Sequence, residues 1–188
     1  MAGVAGLLGV LLAAGPAQAL ILVLSPGDVE QALEAGRRGV VQEDFGDEWR
    51  LSLPDGSEVV VTTPFSRLAT AARQATFKGE PLSDKQRQEQ LDRGKGKLQL
   101  QVTMFGRTVD FARWYQPALG VDGREVKPTF TQNERTALKV EDGRYAARNI
   151  YVFPLEGLTA RSTLTLIIRH SVEQREVLRA SLDLSRMR

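Results

Sequence analysis

A single histidine, His170, and no cysteine at all mark this 188-residue chain. Those two facts decide most of its covalent and metal chemistry. A Ser-His-Asp hydrolase needs a histidine base beside a nucleophile, yet His170 falls at the end of an expected strand and no G-x-S-x-G motif occurs. Zinc held by H-E-x-x-H needs two histidines, and thiolate-ligated zinc or iron–sulfur clusters need cysteine. No S-x-x-K pair offers a Ser-Lys mechanism, and the Gly94-Lys95-Gly96-Lys97 run lacks the phosphate-loop pattern.

Carboxylates are what remain. Glu43, Asp44, Asp47 and Glu48 cluster in one short stretch. Such a cluster could hold calcium, but the alternating ligand spacing of a calcium loop is missing, so a solvated loop is expected. A small hydrolase using a carboxylate pair, with Glu43 and Asp47 in a cleft, is the enzymatic alternative. No catalytic, cofactor-binding or metal residue is otherwise marked, and the expectation is a non-enzyme without a cofactor.

Binding chemistry is carried by Arg113, Trp114 and Tyr115. Adjacent rings in a strand point to opposite faces, so one is expected in the core and the other at the surface. An exposed ring grips proteins and sugars because it offers large area at low entropic cost. Trp49 alternates with Leu51 and Leu53 and is expected in the core instead. His170 is expected at the surface or a strand end.

The elements that place these residues follow from pattern. Ser25-Pro26-Gly27-Asp28 has the composition of a helix start, with Ser25 as cap, Pro26 at the first position and Leu24 spaced to staple onto Val29. Gly36 to Gly39 should end that helix. Glu48 to Thr63 reads as a hairpin turned by Pro54-Asp55-Gly56. At Thr63-Pro64 the strand passes directly into a helix, whose Phe65, Leu68, Ala69, Ala72 and Ala75 share one face and which stops at Gly79. That small-residue face is expected to pack on its own hairpin. Ser83 and Gln86 form a capping-box pair for a polar helix carrying a Glu89–Arg93 pair, and 79–97 reads as the domain boundary.

Beyond Lys97 the pattern is mostly strand. Leu98, Leu100, Val102 and Met104 alternate with polar residues, and further strands are expected over 107–115, 124–131, 136–140, 144–153, 162–170 and 176–184. The segment 116–123, with Pro117, reads as a loop, Pro128 points to an edge strand, and the basic 186–188 end reads as frayed. Short strands at this spacing match an immunoglobulin-like sandwich, with a small barrel as alternative.

Residues 1–19 read as a secretory signal: an apolar run from Val4 to Ala14, Gly15-Pro16, then Ala17-Gln18-Ala19 as the cleavage site. Its amino-terminal end lacks Lys and Arg. If uncleaved, Gly3 to Leu24 would be long enough to anchor the chain in a membrane. An exported, cysteine-free domain fits a bacterial periplasmic or secreted setting. The net charge of +2, with both signs mixed along the chain, gives no footprint for nucleic acid.

These expectations combine into an α+β chain: signal peptide 1–19, a helix/β-hairpin/helix unit over 20–93, and an antiparallel immunoglobulin-like β-sandwich over 97–188. The last two can also be one compact domain. The expected role is a protein-binding or structural envelope module whose partner is another envelope protein. The alternative is a carbohydrate-binding module for cell-surface polysaccharide.

Overall fold

A computed structural model describes residues 23–156, 158 and 162–187. Residues 1–19, read above as a secretory signal, and the first part of the Leu20–Leu24 run lie outside the described residues. Among the described residues, no helix is long and apolar enough to cross a membrane.

The chain is α+β. Helix α1 spans Pro26–Arg38 and starts as its residues dictate: Ser25 Oγ accepts from Asp28 N–H at 3.2 Å, and Asp28 accepts from Ser25 N–H at 2.9 Å. Strands β1 (Arg50–Ser52) and β2 (Glu58–Thr62) form the expected hairpin. Helix α2 (Pro64–Phe77) follows at once, because the Thr63 hydroxyl accepts from Ser66 N–H at 3.0 Å while Ser66 Oγ accepts from Thr63 N–H at 2.8 Å. Gly79 ends it with a positive φ of 74°, where Glu80 N–H reaches back to Ala75 O at 3.0 Å. Helix α3 (Asp84–Gly94) carries the Ser83–Gln86 capping box. In place of the expected Glu89–Arg93 pair, Gln88 donates to Asp92 at 2.9 Å, and Arg87 pairs with Asp84 and with Glu30 on α1.

The small-residue face of α2 meets α1 rather than chiefly its own hairpin, which corrects the expected packing. A Cβ on Gly36 would stand 2.2 Å from Ala69 O and 2.7 Å from Ala72 Cβ, so the two helices touch backbone to backbone. Gly36, read above as a helix stop, is thus the contact that sets their spacing.

Among the described residues, eight further strands complete two antiparallel sheets. These are β3 (Lys97–Gly106), β4 (Tyr115–Val121), β5 (Arg124–Val126), β6 (Phe130–Gln132), β7 (Leu138–Lys139), β8 (Tyr145–Pro154) and β9 (Leu164–His170), with β10 (Arg175–Leu182) closing the chain. One sheet has the order β1-β2-β3-β8-β6, with β7 also on β8, and the other β10-β9-β4-β5. In sequence order, β2, β3, β8 and β6 occupy the places of strands A, B, E and D, while β10, β9 and β4 occupy those of G, F and C. That is the immunoglobulin-like sandwich.

The hairpin was expected in the 20–93 unit, but β2 is itself the first strand of the sandwich. It pairs with β3 from Glu58↔Thr103 to Thr62↔Gln99. Helices α2 and α3 are therefore an insertion between the first two sandwich strands. The alternating residues Leu98, Leu100 and Val102 are fully buried, as are Leu164, Leu166 and Ile168 of the facing sheet. One core joins both sheets and the helices. Across it the Asn133 side chain donates to Tyr115 O at 2.7 Å and accepts from the Tyr151 hydroxyl at 3.1 Å.

Four expectations fail on local causes. Residues 107–114 form turns, not a strand, and the expected 116–123 loop is instead β4. Phe111 lies flat on Gly106, where a Cβ would be 2.2 Å from its ring, so the chain folds back on itself. Pro117 is tolerated because it pairs with Ile168 on one side, while β5 covers only Leu119 to Val121 on the other. The 124–131 strand is split: β5 lies in one sheet and β6 in the other, with Pro128 at the crossing. The chain's end is not frayed through Met187, which is buried beside Leu184.

Candidate functional site

Two connections meet at one end of the sandwich: the 107–114 turns between β3 and β4, and the hairpin between β9 and β10. With the β1–β2 turn they enclose a groove of about 460 Å³. Its apolar floor includes Met104, Phe111 and Tyr115, and its polar rim includes Asp55, Asp110 and Arg175.

Trp114 and Tyr115 divide as their adjacency requires. Tyr115 is buried, while Trp114 is 49% exposed on the groove. Arg113 does not line the groove; its guanidinium carbon lies 5.1 Å from the Trp114 ring centroid, a cation–π contact that steadies the indole. The backbone is fixed as well. Ser171 N–H donates to Trp114 O at 2.9 Å, and Tyr115 N–H donates to Ala112 O at 3.2 Å.

His170 was expected at a strand end, and it stands there, but sequence distance hid its neighbour. Strand register pairs it with Tyr115, and the two rings meet edge to face at 6.0 Å. Phe111 closes the other edge of Tyr115 at 5.9 Å. Burial pushes the Tyr115 hydroxyl above the ordinary tyrosine range. His170 Nδ1 accepts from Glu173 N–H at 3.2 Å. Arg175 pairs with the Glu173 carboxylate and, through that hydrogen bond, holds it below the usual carboxylate range. Among the described residues, no hydroxyl is hydrogen-bonded to the His170 ring. The histidine thus pins the hairpin to the aromatic floor.

The acidic stretch lies elsewhere. Glu43, Asp44, Asp47 and Glu48 are exposed, Asp47 sits 3.9 Å from Arg50, and none lines the groove. Among the described residues, no group of three or more candidate ligands could hold a metal. Trp49 is buried in the core, with Phe45 edge-on at 5.4 Å.

No family model matches the chain, and no curated protein matches it either. Two solved structures resemble it in shape. One is a protein of unknown function from Burkholderia pseudomallei K96243, 10% identical, aligned over 87% of this chain and 91% of that one with a TM-score of 0.44. The other is the IgNAR antibody domain C1, 11% identical, aligned over 70% and 96% with a TM-score of 0.34. At these values the assignment of the sandwich rests on its own strand order.

Proposed function

We propose that this chain is an exported, non-enzymatic β-sandwich module that binds another envelope protein through the groove beside Trp114. The export reading is supported by the apolar 4–14 run and the Ala17-Gln18-Ala19 site. One observation carries the binding reading: a half-exposed tryptophan held rigid at the mouth of a preformed groove. Such anchors dominate protein interfaces because their ordering cost is met before binding. Loops at the end of an immunoglobulin-like sandwich are also where variable domains bind, though that is a likeness of fold alone.

The polysaccharide alternative uses the same ring. Arg113 already covers one face of the indole, which leaves a sugar only the other. Crosslinking pull-down from the native envelope separates the two. Wild-type protein should retain a defined protein that Trp114→Ala loses at least tenfold, and equal recovery would count against the groove. A change of tryptophan fluorescence with cell-wall fragments, absent in Trp114→Ala, would move the assignment to carbohydrate.

A further inference from the structure

A second cavity, of about 450 Å³, opens between α2, α3 and the β2–β3 ladder. Arg67 from α2 and Arg93 from α3 line it, and among the described residues no Asp or Glu does. Among the described residues, neither arginine has an ion-pair partner. Arg67 is half-buried, and its guanidinium donates from Nη2 to Gln99 Oε1 at 3.1 Å. Among the described residues, its buried Nε has no hydrogen-bond partner, and neither has the buried Nε1 of Trp49, which lines the same cavity. The backbone of Gly94 backs the guanidinium, since a Cβ there would lie 3.6 Å from Nε. Burial, and then the charge of Arg93, lower the Arg67 pKa, so the free protein bears an uncompensated cost here.

A buried cation is ordinarily paired, and two cations facing one polar cavity lack the anion that would pair them. The remaining lining is neutral and rich in hydrogen-bonding groups: Thr62, Thr70 and Gln90 among them. The volume falls in the range of small-molecule sites, roughly 300–1,000 Å³. We propose that this cavity binds a small hydroxylated oxyanion, with its carboxylate or phosphate between Arg67 and Arg93 and its hydroxyls on Thr62, Thr70 and Gln90. The site is separate from the Trp114 groove, and neither assignment depends on the other.

Calorimetric titration of the full chain at constant ionic strength tests it, with glucuronate, glucose 6-phosphate, inorganic phosphate and glucose as probes. Glucuronate or glucose 6-phosphate should bind and glucose should not. Arg93→Gln, at an exposed position, should weaken binding at least tenfold with an unchanged melting temperature without ligand, whereas Arg113→Gln should leave it intact. Failure of all three anions to bind, or binding that survives Arg93→Gln, would overturn the site. Inorganic phosphate binding as tightly as glucose 6-phosphate would overturn the hydroxylated ligand.

Discussion

Tyr115 and His170 are register partners on β4 and β9, and their rings meet edge to face with centroids 6.0 Å apart. This contact ties the floor of the groove to the β9–β10 hairpin. It also makes Tyr115 a structural residue and leaves Trp114 free to serve as an anchor. Tyr115→Ala should therefore destabilise the fold by about 3–5 kcal/mol, the cost of emptying a large aromatic site. Trp114→Ala, at a half-exposed position, should stay within about 0.5 kcal/mol. Urea unfolding of the two variants checks the contrast, and comparable losses would refute the division of roles.

The α1–α2 crossing makes a sharper claim about packing. A methyl group on Gly36 has no room between Ala69 O and Ala72 Cβ, and backbone cannot yield cheaply. Gly36→Ala should cost about 1–3 kcal/mol by overpacking, against the small gain helix propensity would otherwise give. Denaturant midpoints decide it, and a stabilised variant would contradict the close crossing.

Alkaline pH should unfold the protein through its buried tyrosines. Burial raises the Tyr115 hydroxyl and, more strongly, that of Tyr151. The unfolded chain titrates near pH 10, so the folded state holds protons that the unfolded state releases. The stability tied to these groups is complete below about pH 10 and is lost as pH rises toward the raised folded values. Tyr151→Phe should lose about 1 kcal/mol at pH 7 with its hydrogen bond to Asn133, yet decline less steeply above pH 10. Denaturation curves from pH 7 to 11 check the slope, and parallel declines would refute the cause.

Much of this architecture is legible in the residues. Ser25 and Ser83 cap the helices they were expected to cap, and the alternation of Leu98 to Met104 marks the central strand. What stays hidden depends on contacts far apart in sequence. Alternation over 107–115 resembles a strand until Phe111 is seen clasping Gly106, and Pro117 resembles a loop residue until β5 proves too short to reach it. Nothing before Pro128 signals that the chain changes sheets there. At the site, the split of Trp114 from Tyr115 follows from adjacency alone. The approach of His170, and of Arg67 to Arg93, follows only from how strands and helices pair.

The central claim is that the Trp114 groove is the surface that meets a protein partner. Site-specific photocrosslinking tests it most directly, with the photoreactive residue replacing Arg107 on the groove or Lys85 on α3. In the native envelope, position 107 should capture a discrete protein, position 85 should not, and adding Trp114→Ala should abolish the capture at 107. Equal capture from both positions, or capture at 107 that persists without Trp114, would contradict the account.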